Sequence, residues 1–370
     1  MLDNTSKCAV HKSWPSINQF RQVVREVKGR GGFKGIGDDG TPIIDQFAVM
    51  PTLKFEGTVK LHGSNASFVC ETDKQDDFWA QSRERVLSLL NDNFGWAQFC
   101  RTHSEIMSAI LKEAQRHHVA NDVTHYSVFG EWCGGNVQKG VALSQVPKMF
   151  VIFGIIAWTG ETDADGNFTD VSRRYFTREK VLAVVNDAKQ RVMFPTNIYT
   201  TYDFPTYSLE IDFNQPEVSQ NQLGDITVAV EQECPVGKQL GAIGTGEGVV
   251  WKCVTPGFEG SRFMFKVKGE KHSSSKVKTL ASVDIEVVNS INELADTVVT
   301  ESRLIQGLEY LRSNGLTIEP KNTPVFLKWI SDDVVKEETD TIIGSGLQFK
   351  DVVVRIKFLA RAWFLAHEED

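Results

Sequence analysis

The lysine of the segment Lys-Leu-His-Gly, residues 60–63, is the residue of this chain best suited to covalent chemistry. Alternating apolar residues over 55–61 predict a strand, and a glycine turn follows the lysine. At such a strand end, burial can hold the Lys60 amine rigidly and favour its uncharged, nucleophilic form. The tetrapeptide alone also fits a hairpin with an exposed lysine, so the interpretation depends on further segments downstream.

Three charged side chains at predicted strand ends could surround a ligand. Arg83 ends a strand with a planar guanidinium, which suits a phosphate or nucleotide but is also compatible with a surface arginine. Glu131 ends an apolar strand, where an unpaired carboxylate would be costly and a ribose hydroxyl would give it a partner. Glu247 stands between two glycines before an apolar strand, where backbone and ligand can approach closely.

Aromatic and basic residues on two further strands could bind the base and the phosphates of a nucleotide. Phe150 and Phe153 lie on a continuous apolar strand, where core packing is the default and stacking on a purine is the alternative. Lys266 and Lys268 alternate on a strand and therefore point to the same side. They repel each other, and a triphosphate would compensate them. Their positive field would also help to remove the proton from Lys60.

In chain order, the segments Lys-Leu-His-Gly, Ser-Arg, Phe-Gly-Glu, Phe-Val-Ile-Phe, Glu-Gly-Val-Val and Lys-Val-Lys resemble the motifs of covalent nucleotidyltransferases. That superfamily contains ATP-dependent DNA and RNA ligases and mRNA capping enzymes. His62, and the pair Gln138-Lys139 after Phe-Gly-Glu, resemble the RNA ligase 2 family of phage-type and RNA-editing ligases. Gly154 departs from this pattern, since many relatives have Asp there, and the long N-terminal segment is a second departure.

The resemblance implies an α+β fold. It consists of a nucleotidyltransferase (ATP-grasp-like ligase) domain of antiparallel sheets with flanking helices, followed by a small all-α C-terminal domain. It also implies an ATP-dependent RNA ligase that joins 3′-OH and 5′-phosphate ends through a lysyl-AMP intermediate and an adenylated RNA 5′ end. The expected cofactors are ATP and Mg²⁺ (or Mn²⁺), and the expected substrate is RNA, as a nicked duplex awaiting repair.

The resemblance further implies roles for individual residues. Lys60 would be the nucleophile, Glu131 would bind the ribose and Glu247 would engage the metal. Phe153 is the expected adenine-stacking residue, with Phe150 as the second choice. ATP or AMP binding is expected for Val59, Lys60, His62, Asn65, Arg83, Glu131, Phe153, Glu247, Lys266 and Lys268, and RNA binding for Gln138 and Lys139.

Two other functions stay open on the sequence. A DNA ligase or an mRNA capping-type nucleotidyltransferase is the alternative within the superfamily. The helical pattern after residue 285 argues against the C-terminal OB-fold that would favour either of them. A non-catalytic nucleotide- or RNA-binding module is the alternative from another class, and it would need neither a reactive lysine nor a same-side lysine pair.

The composition is that of an ordinary globular protein with two domains. The chain has 370 residues, of which 41% are hydrophobic and 24% charged, with a net charge of −8. This charge argues against an indiscriminate nucleic-acid coat protein but allows a local positive groove. We expect no membrane span, because no run of 18 apolar residues occurs. Six scattered cysteines without metal spacing indicate reduced thiols in a cytoplasmic protein, and a monomer is the simplest state.

The pattern along the chain predicts an adenylyltransferase domain over 1–272, with an N-terminal helical extension over 1–50, and a helical RNA-binding domain over 277–370. An amphipathic helix is predicted over 15–28, opened by Ser16. The Gly-rich stretch 29–37 lacks the context of a phosphate-binding loop and favours a hairpin or surface loop. Other helices are predicted near 95–118, 179–190, 224–233, 324–338 and 350–366.

Overall fold

A computed structural model gives the structure of the protein. It describes residues 9–45, 47–118, 120, 122–162, 168–273 and 291–367. Within these ranges, none of the helices combines the length and the apolar character needed to cross a bilayer.

Helices and antiparallel strands alternate through the described chain. The strands are β1 (Phe33–Ile36), β2 (Pro42–Ile44), β3 (Thr52–Lys60), β4 (Ser64–Glu71), β5 (Trp79–Ser82), β6 (Val123–Cys133), β7 (Met149–Thr162), β8 (Phe168–Tyr175), β9 (Ile198–Thr200), β10 (Thr206–Asp212), β11 (Gly248–Cys253) and β12 (Met264–Lys268). The helices are α1 (Phe20–Gly32), α2 (Trp96–Thr102), α3 (Ser104–His117), α4 (Arg178–Arg191), α5 (Val218–Gln232), α6 (Pro235–Gln239), α7 (Ile291–Val298), α8 (Glu301–Ser313), α9 (Thr323–Gly344) and α10 (Phe349–Ala366).

The chain divides into two compact units, each built from separate stretches of sequence. The first comprises the described parts of Met1–Ile17, Leu53–Glu210 and Ala229–Met264. The second comprises those of Asn18–Thr52, Ile211–Val228 and Phe265–Asp370. The predicted boundary between 272 and 277 stays a prediction, because residues 274–290 lie outside the described chain.

The first unit is built on antiparallel sheets. One sheet has the strand order β5-β4-β6-β7-β8, with β9 added in parallel to β7. In a second sheet, β3 pairs antiparallel with β11. Side chains from one face of the larger sheet form the main core with α2, α3 and α4, centred on Phe68, Trp96, Ile110, Val128 and Phe150. Strand β7 begins with a near-continuous apolar run, and most residues of that run are buried, on both faces of the strand.

The second unit is mainly helical. Apolar residues at helical spacing on α7 to α10 share one core, which includes Leu294, Leu308, Phe326, Ile330 and Ile356. The same unit contains α1 and the antiparallel hairpin of β1 and β2. The described structure therefore confirms the predicted α+β class, with antiparallel sheets and helices at the C-terminal end of the chain.

Two helix predictions need correction. The helix predicted to open at Ser16 begins at Phe20, with Gln19 and Gln22 forming its capping box. The preceding residues stay extended, because Asn18 forms a β-bridge with Phe265. The single helix predicted over 95–118 is two helices, since the chain leaves helical geometry at His103.

The Gly-rich stretch enters the hairpin of β1 and β2, as predicted, but its first four residues, 29–32, complete α1, which was predicted to end at 28. It forms no phosphate-binding loop between a strand and a helix. The sequence also predicts a linker over the polar, Ser-rich stretch 269–276, of which residues 274–276 lie outside the described chain.

Candidate active site

Lys60 is the last residue of β3, and its amine contacts a buried carboxylate. The Nζ atom donates to Oε2 of Glu247 at 2.7 Å. The Lys60 side chain is 22% exposed, whereas that of Glu247 is only 4% exposed. The strand register brings Lys60 and Glu247 together, because Lys60 lies opposite Gly248, the residue after Glu247, in the β3–β11 pair. Two segments 187 residues apart thus place a lysine and a glutamate together.

His62 binds the same carboxylate, since its Nδ1 lies 3.2 Å from Oε2 of Glu247. The turn that carries His62 can pack closely because it contains Gly63. A Cβ at Gly63 would lie 2.5 Å from the backbone oxygen of Trp132. The glycine of the Lys-Leu-His-Gly segment is therefore required by the close approach of β6.

Glu131, on β6, is the second carboxylate of this cluster. It accepts a hydrogen bond from the backbone N–H of Gly63 at 3.0 Å and lies opposite Asn65 in the β4–β6 register. Burial raises the pKa of Glu131 to about 7, and the charge of Glu247 acts in the same direction, while Lys60 and His62 oppose them. The raised pKa of Glu131 is thus mainly an effect of burial.

Gln138, predicted to bind RNA, lies beside this cluster, and its Nε2 donates to the backbone oxygen of Gly63 at 3.3 Å. Lys139 is exposed. The side chain of Val59 is buried, so a contact between Val59 and a nucleotide would have to use its main chain.

The structure separates the two aromatic candidates. Phe150 is fully buried in the main core, with its ring centroid 4.4 Å from that of Trp96. Phe153 is partly exposed and packs edge-on against Trp14, with ring centroids 5.0 Å apart. Of the two rings, only that of Phe153 is exposed enough to stack on a base. The second choice, Phe150, is wrong because its ring belongs to the interior of the protein.

Arg83 lies just after β5 and is about half exposed. Its guanidinium donates to Oγ of Ser16 at 3.4 Å and lies 3.7 Å from Glu84. The segment before α1 therefore runs beside β5, which the sequence did not predict.

The two same-side lysines have protein partners within the second unit. Nζ of Lys266 lies 2.5 Å from Glu337, and Nζ of Lys268 donates to Gln306 at 3.2 Å. Burial alone would raise the pKa of Glu337, but the charges of Lys266, Arg303 and Lys268 outweigh it and hold that pKa well below its usual range. A ligand is therefore not needed to explain why Lys266 and Lys268 share a side.

Sequence reasoning missed two residues near Phe153. Lys252, on β11, donates from Nζ to the backbone oxygen of Phe153 at 2.6 Å. Trp14 covers Gly154, where a Cβ would lie 2.5 Å from the indole ring. Period-two spacing from Gly248 could have placed Lys252 on the face of Lys60, but nothing local predicts the contact of Trp14.

A separate group of possible metal ligands, Glu113, His117 and Asp187, lies on α3 and α4. Its buried member, Glu113, is already paired with Arg116 and Arg191. This group therefore has the character of an ion-pair network, and we assign no metal to it.

A strand-end lysine beside two carboxylates is an arrangement that can support covalent catalysis by the lysine amine. A sequence profile described as RNA ligase matches residues 53–268, more than half of the chain. The chain belongs to the RNA ligase family. The predicted resemblance is thereby confirmed at the level of that family.

Among solved structures, the chain is similar to the Naegleria gruberi RNA ligase with PPi, at 17% identity and a TM-score of 0.41. It is also similar to a mutant of that ligase with ATP and Mn, at 16% identity and a TM-score of 0.41. In both cases the match covers 70% of this chain and 56% of the other. The chain thus spans little more than half the length of these ligases. Comparison with curated proteins gives no match.

Proposed function

We propose that this protein is an ATP-dependent RNA ligase that joins a 3′-hydroxyl to a 5′-phosphate through a lysyl-AMP formed on Lys60. The observation that carries this proposal is the position of the Lys60 amine, 2.7 Å from Glu247 and beside Glu131, in a chain of the RNA ligase family. A reactive amine between carboxylates has a clear use in this family, because it can accept a nucleotide covalently.

In the first step, the lone pair of Lys60 Nζ attacks the α-phosphorus of ATP. A phosphorus–nitrogen bond forms, the bond to the bridging oxygen breaks, and pyrophosphate leaves. The amine must lose a proton for this attack, and Glu247 is an acceptor already in hydrogen-bond contact with it.

In the second step, a 5′-phosphate oxygen of RNA attacks the phosphorus of the lysyl-AMP, which releases Lys60 and leaves AMP on the RNA end. In the third, a 3′-hydroxyl attacks the 5′-phosphorus and AMP departs. All three steps are in-line displacements at phosphorus, so catalysis consists largely of positioning and charge neutralisation.

Further residues would bind the nucleotide. Glu131 would accept a ribose hydroxyl, and Phe153 would stack on the adenine through its exposed surface. The remaining nucleotide contacts are assigned to the main chain at Val59 and to the side chains of His62, Asn65, Arg83, Lys266 and Lys268, the last two on the phosphates.

Glu247 is the proposed ligand of a divalent cation, and the residues present fit such an ion. Carboxylate oxygens are the ligands that Mg²⁺ and Mn²⁺ prefer, and the charges of two carboxylates, those of Glu247 and Glu131, interact in this cluster. When bound, the ion would neutralise charge on the phosphates.

RNA is the proposed partner, as a nicked duplex bound in part by the helices of the C-terminal region. Gln138 and Lys139 are the proposed RNA contacts close to Lys60. The monomeric state and the cytoplasmic location stay predictions from the sequence.

The test is covalent labelling with [α-³²P]ATP and Mg²⁺, followed by denaturing electrophoresis. We expect label on the wild-type protein and none on Lys60→Ala, because the nucleophile is lost. Lys54→Ala is the matched control, since Lys54 is an exposed lysine of the same strand, and it should be labelled like the wild type.

The same assay separates the alternative functions. Absence of label on the wild type would reject the proposal and favour a binding module. Labelling by GTP in place of ATP would indicate a capping-type enzyme. Sealing of nicked DNA but not of nicked RNA by the labelled protein would indicate a DNA ligase.

A further inference from the structure

Phe153 is the extra residue of a β-bulge. In the ladder between β6 and β7, Phe129 lies opposite Gly154 and Gly130 lies opposite Ile152, which leaves Phe153 without a partner residue. The bulge shifts the alternation of side chains by one position, since Ile155 and Ala157 after it belong to the main core as well. Phe150 and Ile152 point into the main core, whereas Phe153 packs with Trp14 in a separate cluster. The ring of Phe153 therefore lies on the face of β7 opposite the main core, at the position where the alternation of side chains shifts.

The backbone of a bulged residue lies outside the regular ladder and needs another partner. Lys252 supplies it, because its Nζ donates to the backbone oxygen of Phe153 at 2.6 Å. Lys252 belongs to β11, in the other sheet of the same unit. The hydrogen bond from Lys252 thus connects β11, in the second sheet, with the bulge of β7, in the larger sheet.

Lys252 also shares a face with the proposed nucleophile. Lys60 lies opposite Gly248, and Glu56 lies opposite Lys252, so the even-numbered positions of β3 and β11 form one face of the pair. Lys60 and Glu56 are four residues apart, roughly 13 Å along a strand. A nucleotide with its α-phosphorus at Lys60 could therefore extend its base towards Lys252.

The surroundings of Lys252 fix its amine in place. The Nζ atom lies over the ring of Trp14, 5.5 Å from the centroid, in cation–π geometry. Burial lowers the pKa of Lys252 to about 8, and the charge of Glu56 opposes this shift. Glu56 is in turn paired with Arg178. A partly buried lysine with a backbone acceptor and an aromatic face is held rigidly, unlike a surface lysine.

We propose that Lys252 is a positioning residue for base recognition: by holding the carbonyl of Phe153, it fixes the bulge and so orients the ring on which the adenine stacks. Trp14 supports that ring from the side. This inference rests on the proposed function, because it takes the base of ATP as the ligand of Phe153.

The experiment measures KM for ATP and kcat of self-adenylation in Lys252→Met, Lys252→Arg and Phe153→Ala. We expect Lys252→Met to raise KM by about tenfold and to change kcat by less than about threefold, because the base end loses its alignment. Lys252→Arg keeps a donor and should restore KM to within about threefold of the wild type. Lys54→Met, at an exposed position of β3, is the control for loss of a lysine.

A double mutant tests whether Lys252 acts through Phe153. In the Phe153→Ala background, Lys252→Met should raise KM by less than about twofold further, because the ring to be oriented is gone. Three results would overturn the inference. The first is a KM of the double mutant equal to the product of the two single effects. The others are an unchanged KM in Lys252→Met and a loss in that variant confined to kcat. Thermal unfolding of each variant identifies any that fails to fold. If Lys252→Met fails to fold, the KM of Lys252→Arg in the wild-type and Phe153→Ala backgrounds is compared instead.

The two proposals fail in different ways. A wild-type protein that takes no label from ATP rejects the proposed function and this inference with it. Normal labelling of the wild type together with normal KM in the Lys252 variants rejects only the positioning role.

Discussion

At the scale of single residues, the cluster around Lys60 could be predicted because each member lies in its own short motif. The chemistry expected of Lys60, Glu131 and Glu247 could be inferred from the few residues around each of them. The first is a strand-end lysine, the second a glutamate at the end of an apolar strand, and the third a glutamate between glycines. Their meeting depends on register, and the structure brings Lys60 to 2.7 Å from Glu247. The partners of Lys266 were not predictable, since Glu337 lies on a helix 71 residues away.

Glu131 gives a prediction about stability and pH. Its pKa is raised from 4.5 to about 7, so the folded protein holds this proton more tightly than the unfolded chain does. Stability due to this group is therefore lost as the pH rises from about 4.5 to about 7. Glu131→Gln removes the charge and should stabilise the protein at pH 8 by at most about 3 kcal/mol, with no gain at pH 4.

The measurement is urea unfolding of wild type and Glu131→Gln at pH 4 and pH 8, without nucleotide and with EDTA present. Glu217→Gln, at an exposed glutamate, is the control and should change the free energy of unfolding by less than about 0.5 kcal/mol at either pH. An equal effect of Glu131→Gln at both pH values would contradict the charge argument.

At the scale of secondary structure, apolar periodicity predicted most strands and helices but not the irregularities that matter for the site. The apolar strand that carries Phe150 and Phe153 was predicted, whereas its bulge at Phe153 was not, because nothing in the apolar sequence there marks the irregular position. Lys252 and Phe153 are 99 residues apart, so no local pattern connects them. The departure at Gly154 was visible in the sequence, and the structure explains it by the packing of Trp14.

Gly154→Ala tests the packing between β7 and the segment before α1. A Cβ at this position would lie 2.5 Å from the indole of Trp14, so the ring must move. We expect a loss of about 1–3 kcal/mol in the free energy of unfolding, measured by urea titration. Gly224→Ala is the control for a Cβ added without a clash, because a Cβ there meets nothing within 4 Å, and in helix α5 it should raise the free energy of unfolding by up to about 1 kcal/mol. A neutral Gly154→Ala would show that Trp14 is not tightly packed.

At the scale of the whole molecule, the net charge of −8 produces a net electrostatic repulsion between the protein and RNA, which is also negatively charged. Any RNA affinity must then come from local cations, whose contacts with phosphates release counterions. We therefore expect nick sealing to fall at least about tenfold between 50 and 200 mM NaCl. Self-adenylation should change by less than about threefold, because the proposed contacts with ATP are short-range and therefore less screened by salt.

The measurement compares the two activities in one salt series, with pre-adenylated RNA as the control that bypasses ATP. Sealing of this RNA should follow the steep dependence if RNA binding is the sensitive step. Equal salt dependence of sealing and adenylation would show that salt weakens ATP binding or adenylation rather than RNA binding.

The contact between Trp14 and Gly154 links two positions that are far apart in the chain. Because the indole fills the space of any side chain at 154, a bulky aromatic at the first position and an aspartate at the second exclude each other. We therefore expect these positions to covary in an alignment of homologues, with small residues at 154 wherever an indole occupies position 14. An aspartate at position 154, which the resemblance would lead one to expect, would be accommodated only together with a smaller residue at 14.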